Sequence, residues 1–331
     1  MAEIILYEDL EKVARVAGDA LGRDAQSSLF NRLDWYRLLC RHCPPEGKLL
    51  VLRAREDKRS AWLFAALRHP LAEGYANFYS LRFYVVGDHD EDLLTAIAAA
   101  LRDGGVAEVD LAWLEDPEPL VRGFRNAGFR PFVTPFVVNW RAHTEGQDFA
   151  AFWARRPGQL RNTAKRRAKT AELDVVVHDR FDEAAWADYE AVYRASWKPE
   201  EGSFPFLRAL AEQEGEAGTL RLGIARKDGV PVAAQLWLVE NGHAMIHKLA
   251  YAEAAKAMSP GTILSEAMFR HVLDKDRVRL IDYGNGDEPY KADWMDEKRN
   301  LYQMRAFNPR TFKGLVGAVK AAVHRWRTKG P

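Results

Sequence analysis

At 331 residues, 47% hydrophobic and 11% aromatic, the chain has the apolar content of a globular protein and suits two domains, or one domain made of two similar halves. Its 48 Lys and Arg balance 47 Asp and Glu to a net charge of +1, so nothing global points to nucleic acid and no nucleic-acid partner is expected. No uninterrupted apolar run approaches the ~20 residues that span a bilayer.

The N-terminal MAEIILYEDLEK lacks a basic start followed by a long apolar stretch, so no secretory signal is expected. Cys40 and Cys43 follow in CRHC, on a predicted helix. A lone CxxC has neither the second pair that zinc requires nor the strand–loop–helix setting of a redox motif. Two free thiols, no metal and a reducing, cytoplasmic compartment are the expectation.

Next, KLLVLRARE and SAWLFAALR read as strands on either side of Asp57-Lys58-Arg59. ANFYSLRFYVV is predicted as the third strand and DLLTAIAAALRDGG as a helix stopped by Gly104-Gly105. VAEVDLAWLE is a strand, DPEPLVRGFRNAGF a helix with Pro117 near its start, and PFVTPFVVNW a last strand. From Phe149 the segment FAAFWARRPGQLRNTAKRRAKTAEL carries seven Lys or Arg between Arg155 and Lys169. Helical spacing turns Leu160 and Ala164 inward and most of the charge to solvent; contact with the phosphates of CoA or of RNA is the other reading.

In the second half, TLRLGIAR and VPVAAQLWLVE are strands joined by Lys227-Asp228-Gly229, and Asn241-Gly242 turns the chain into a third, HAMIHKLAY. Pro260-Gly261 opens a helix with apolar spacing at Ile263, Leu264, Ala267, Met268 and Val272. Strand VRLIDYG, the short DEPYKADWM segment and strand LYQMRAF follow. Strand-strand-strand-helix-strand-helix-strand is the order of both halves. It predicts a duplicated unit of mixed α/β class, helices packed on twisted sheets.

The stretch IDYGNGDEPYKADWM, from Ile281 to Met295, is the richest in chemistry. Gly284 and Gly286 let the chain turn sharply at a strand end, gathering Asp282, Asp287, Tyr290 and Lys291 in one loop. DYGNGDEPYKADWM resembles the signature of the cellulose-biosynthesis-type acetyltransferases (the CelD/BcsL group), a branch of the GNAT acyltransferase superfamily. LRNTAKRRAKTAEL, YRASWKPEE and HKLAYAEAAKAMSPGTIL resemble further segments of that group, in the same order, over roughly Trp153 to Arg305. The resemblance implies an acyltransferase with two tandem GNAT-like halves, each a twisted mixed sheet flanked by helices, as in the related Fem-type transferases. Domains are expected at 1–145, at 146–310 (the catalytic half) and at 311–331, an amphipathic C-terminal helix, with the boundary between the halves falling from Trp140 to Asp148.

The resemblance also implies a donor: acyl-CoA, or an acyl carrier protein presenting the same pantetheine arm. GNAT enzymes generally hold the pyrophosphate of CoA in a glycine-rich loop at a helix N-terminus, where free N–H groups and the helix dipole suit phosphate. Here AKAMSPGTIL offers Gly261 alone, with Ser259 as N-cap and Thr262 in the first turn. Arg161, Lys165 and Arg166 are candidates for the missing charge.

Amide formation needs a base for the amine and donors for the developing oxyanion. His247, Glu253 and Asp282 are the candidate bases. His247 shares a strand face with Met245 and Leu249, so a core histidine is the competing reading. Glu253 faces either the acceptor or solvent. Asp282, ending a buried strand, requires a partner, for which Lys291 is one candidate. Tyr290-Lys291 resembles an aromatic–lysine pair of the Fem-type transferases and is assigned the catalytic donor role; a clamp that only closes the loop is the alternative. Trp197, Lys198, Asp287 and Tyr251 are the candidates for the acceptor site.

TFKGLVGAVKAAVHRWRTK closes the chain as a cationic amphipathic helix. Phe312, Leu315, Val316, Val319, Val323 and Trp326 form its stripe, with Lys313, Lys320, Arg327 and Lys329 off it. It either docks on the domain or rests on anionic lipid, which would place the protein at the inner face of the membrane. The expected function is N-acylation of a primary amine, the acceptor an envelope amino sugar or a sphingoid-type lipid amine. tRNA-dependent aminoacyl transfer and a non-catalytic binding role are the alternatives; neutral charge and the lack of a long heptad pattern argue against the first.

Overall fold

The computed structural model describes residues 2–328; Lys329 of the predicted cationic face lies outside the described residues. In chain order the elements are β1 (Glu3–Tyr7), α1 (Leu10–Ala17), α2 (Leu33–His42), β2 (Lys48–Glu56), β3 (Arg59–Arg68), β4 (Leu71–Gly74), β5 (Val86–Gly87), α3 (Glu91–Asp103), β6 (Glu108–Leu114), α4 (Glu118–Asn126) and β7 (Arg130–His143). There follow α5 (Phe149–Ala154), α6 (Gly158–Ala171), β8 (Asp174–His178), α7 (Glu183–Arg194), α8 (Phe204–Glu216), β9 (Leu220–Lys227), β10 (Val230–Glu240) and β11 (His243–Tyr251). The chain ends with α9 (Pro260–Asp274), β12 (Leu280–Asn285), α10 (Lys291–Trp294), β13 (Glu297–Phe307) and α11 (Phe312–Thr328).

Two compact units result: Met1–Val137 with the segment from Asn300 onward, and Val138–Arg299. The division falls at Val137/Val138 inside β7 rather than in the stretch from Trp140 to Asp148, and the chain from Asn300 onward goes with the first unit. Both β7 and β13 are long strands, and each gives one end to either unit.

The first unit's sheet runs β1-β2-β3-β4-β6-β13, antiparallel except where Leu71–Glu73 lie parallel to Glu108–Asp110. The second unit's runs β7-β12-β11-β10-β9-β8, antiparallel except between β11 and β12. In each unit an outer strand and two helices precede three antiparallel strands. A helix then crosses to a strand parallel to the third, followed by another helix. The fold is two tandem GNAT-like halves of mixed α/β class. Asp228-Gly229 and Asn241-Gly242 take the positive φ of two-residue hairpin turns, as their residue types demand.

The core of the first unit packs Leu94, Ile97 and Phe124 from the helices on Leu63 and Leu111 of the sheet. In the second, Phe269 of α9 meets Trp237 edge-on at 5.1 Å and stacks on Trp294 at 4.7 Å. Arg156, from the basic run, is buried here and donates to the Trp294 carbonyl (2.7 Å), so it is structural.

ANFYSLRFYVV is not the third strand; β4 takes that place, and only Val86 of the segment is in a strand. Tyr75, Tyr79, Leu81, Phe83 and Val85 are buried, but in a packed loop. Asn77 redirects it, accepting from Tyr79 N (3.0 Å) and donating to the Cys43 carbonyl (2.9 Å). Cys40 and Cys43 are free thiols whose ionisation burial pushes up, Cys40 lying 3.0 Å from the Tyr75 hydroxyl.

Candidate active site

β11 and β12 pair in parallel at His243–Leu280, Ala244–Ile281 and Met245–Asp282, and then part. β11 runs on to Tyr251 and β12 to Asn285 without pairing to one another. A register slip against β10 between Leu236 and Trp237 turns β11 at the same level. The gap opens at the carboxyl ends of the strands, where open α/β sheets receive ligands.

Charged and aromatic side chains collect there. Lys248 of β11 and Glu201, from the loop after α7, form a buried ion pair at 3.0 Å. Burial lowers the pKa of Lys248 in spite of that carboxylate. Tyr193 lies beside Glu201, and burial, then the glutamate, push its hydroxyl well above the usual range. Lys198 is drawn down to about 8, first by burial and next by Lys248, with Lys291 adding to the effect and Glu201 and Glu288 opposing it. Three lysines and two glutamates therefore share one field.

The loop after β12 supplies the opposite wall. Lys291, 3% exposed, donates to the carbonyls of Asn285 (2.6 Å) and Gly286 (3.3 Å) and pairs with Glu288 (2.8 Å). An ammonium has three donors, and all three are engaged. Burial is the largest influence on the Glu288 carboxyl and raises it, but the Lys291 hydrogen bond, a backbone hydrogen bond and the charges of Lys291 and Lys198 together outweigh it, and the net shift is downward. Gly286, at φ 110°, makes room for that carboxylate, which an added Cβ would strike. The Tyr290 ring is half-exposed, edge-on to Tyr283 at 5.8 Å; burial and then Glu288 raise its hydroxyl.

Asp282 does not partner Lys291. Its Oδ1 accepts from Asn139 Nδ2 and Gly284 N, each at 2.7 Å, which pins the turn and uses the carboxylate inside the sheet. His247 is buried and held neutral, its pKa brought down to about 3 by burial and then by Lys248, so it is unsuited to take a proton near neutrality. Glu253 points outward and pairs with Lys256 at 3.1 Å. Asp287 is exposed on Lys298 at 2.7 Å. These residues sit on the strands and turns foreseen for them, but not in the charged cluster.

Trp197, half-exposed, packs on Tyr251 at 4.1 Å, and the Lys198 Nζ stands 5.9 Å over its ring. Gly261 lies under the Tyr251 ring, 3.2 Å from where its Cβ would be. At the head of α9, Ser259 takes the left-handed conformation without a side-chain cap. Pro260 has no N–H and Thr262 donates its own back to the Ser259 carbonyl, so this helix end keeps fewer donors for phosphate. α6 buries Leu160 in the core shared with α9, buries Ala164 as well, and leaves Arg161 and Lys165 exposed.

The corresponding place in the first unit is narrowed to a cavity of about 380 Å³ lined by Glu73, Gly74, Phe83 and Asp110. A Cβ on Gly74 would meet the Phe83 ring at 3.0 Å, and α3 starts with Glu91 and Asp92, which repel phosphate. Sequence reasoning missed Glu201, Lys248 and Glu288. The available signal was Lys248 itself: a lysine inside a buried strand requires an acid, and KPEEGS supplies one.

Residues 154–292 match the family described as an acetyltransferase (GNAT) domain, a span that holds Trp197, Lys198, Glu201, Lys248, Glu288, Tyr290 and Lys291. Among solved structures the chain is similar to the C-terminal domain of a putative lysylphosphatidylglycerol synthetase from Agrobacterium fabrum (16% identity, 95% of this chain and 96% of that one, TM-score 0.59). It is similar to FemX (9% identity, 91% and 96%, TM-score 0.61) and to a tandem GNAT protein from the clavulanic acid biosynthesis pathway (14% identity, 92% and 98%, TM-score 0.52). At these identities the likeness is one of fold. No curated protein sequence matches the chain. Residues 154–292 carry a GNAT-type acetyltransferase domain, and by that domain the chain is an acyltransferase.

Proposed function

We propose that the chain moves an acyl group from an acyl-CoA-type thioester to a primary amine. The carrying observation is the divergence of β11 and β12 beside a lysine drawn down to about pKa 8. The gap suits a narrow pantetheine arm. Arg161 and Lys165 supply charge for the donor's phosphates, which the head of α9 meets only in part. A carrier protein presenting the same arm fits equally.

Lys198 in its neutral form takes the proton of the attacking ammonium. The amine nitrogen bonds to the thioester carbon and releases its second proton to solvent, the C–S bond breaks, and Lys198 returns the first proton to the leaving thiolate. Tyr290 and the lysine field face the developing negative charge. Lys291 acts as a positioning residue, since its donors hold the loop that carries Glu288 and Tyr290. Trp197 and Tyr251 form the acceptor wall.

The acceptor we propose is an amino sugar of the envelope or a sphingoid-type lipid amine, in line with a resemblance to the CelD/BcsL group, and the site of action is the cytoplasm, at the inner face of the membrane. The test is purified chain with acetyl-CoA, palmitoyl-CoA or the acyl carrier protein thioesters, against glucosamine or sphinganine, reading free thiol and amide product by mass spectrometry. Amide formed with one pairing and lost in Lys198→Met supports the reading. Consumption of aminoacyl-tRNA alone, or ligand binding without turnover across the panel, removes it.

A further inference from the structure

Thr311 precedes α11 and caps it, its hydroxyl accepting from Gly314 N at 3.0 Å. Its small residues seat it on the first unit. A Cβ on Gly314 would strike the carbonyl oxygens of Asn308 and Ala107, and one on Gly317 would strike the Phe307 ring; Ala318 is buried. At 3.6 residues per turn, Leu315, Val319, Val323 and Trp326 fall on the side away from these contacts. All four are exposed, as is Phe312, and Trp326 is 78% so. The glycine seat fixes the helix's rotation and holds the apolar stripe outward. A contiguous apolar face of this kind marks an interaction surface.

The helix carries four Lys or Arg and no acid. Lys313, Lys320 and Arg327 follow one flank of the stripe. Beside the first two, Arg125, Arg305 and Arg325 join them along a groove of about 1080 Å³, where the cations outnumber Glu108 and Glu118. Exposed apolar residues flanked by cations, with a tryptophan on the stripe, are what the boundary of an anionic bilayer receives.

We infer that α11 is a docking helix for an anionic lipid bilayer, its apolar stripe entering the headgroup boundary and its basic flank meeting the lipid charge. Charge complementarity selects this occupant. A second copy would set one cationic helix against an identical one, like charge on like charge, whereas an anionic surface satisfies both the stripe and the flank. The inference rests on α11 and is independent of the acyl-transfer reading.

The test is co-sedimentation of the full chain with vesicles of phosphatidylcholine alone or with about a third phosphatidylglycerol. Each cation near an anionic surface strengthens binding about fivefold. Lys313→Gln with Lys320→Gln should therefore lower partition onto the anionic vesicles about 25-fold, and raised salt should weaken the wild type similarly. Val319→Asp with Val323→Asp, at exposed positions that leave the fold intact by circular dichroism, should abolish binding. Equal partition of that variant and wild type would overturn the inference. So would the absence of binding to anionic vesicles, or a wild-type dimer in light scattering that Val319→Asp with Val323→Asp dissolves.

Discussion

A lysine with a pKa near 8 changes charge within the range in which enzymes are assayed, and Lys198 is the residue at which this chemistry can be tested most directly. Its folded pKa lies below the unfolded 10.5, so the unfolded chain binds more protons between the two values. Carrying the charge costs stability below pH 8, and the cost fades as pH rises towards 10.5. Lys198→Met should stabilise the fold at pH 7 by about 1–2 kcal/mol, discounted for partial solvent access, while lowering turnover at least 10²-fold; denaturant melts at pH 7 and 10.5 should show the gain vanish. His247 titrates in the opposite range. Its pKa of about 3 against 6.5 makes stability fall as pH drops from 6.5, by about 3 kcal/mol near pH 4. His247→Leu should lack that acid loss and keep the neutral pH–rate profile, whereas a limb near pH 6.5 that disappears in the variant would restore His247 as the base. The sequence made the Trp197-Lys198 and Tyr290-Lys291 pairs visible because adjacent residues announce themselves. Glu201 and Lys248 are 47 positions apart, and nothing local ties one to the other.

At the scale of elements, the loop from β12 into α10 is held by one side chain. Lys291→Met should release Asn285, Gly286 and Glu288 together, lowering turnover by about 10² and stability by about 1–3 kcal/mol, with donor affinity nearly unchanged. On the proposed reading, donor affinity belongs instead to α6 and α9. Because Pro260 has no N–H and Thr262 turns its own back to Ser259, phosphate binding should lean on exposed Arg161 and Lys165. Calorimetric titration of acyl-CoA should weaken several-fold between low and physiological salt, and Arg161→Gln with Lys165→Gln should remove most of that dependence. Tight binding indifferent to salt would show that the helix end suffices. Hairpins and crossover helices were legible here, since Asp228-Gly229, Asn241-Gly242 and the spacing of Leu264 and Met268 encode them locally. The loop from Tyr75 to Val85 was not. Its buried aromatics alternate as in a strand, and only tertiary packing distinguishes the two.

For the whole molecule, the repeated element order revealed the duplication, but not where each half ends. PFVTPFVVNW announces a strand without saying which sheet takes which end. In fact β6 is joined by β13 and β12 by β7, so each half is closed by the strand written in the other. A chain stopped at Arg299 should lose Met304 and Ala306 from the first unit's core. Amide exchange should then show β2–β6 unprotected, while β9–β11 stay protected; retained protection of β6 would show that the first unit is complete without β13. The exchange also sets a timetable for biosynthesis. The ribosome must translate from Leu114 to Glu297 before β6 can meet its neighbour, a delay of ~10–40 s at ordinary elongation rates. Through that interval the nascent first half presents a bare strand edge, open to misassociation on the polysome, while the later half already possesses every strand it requires.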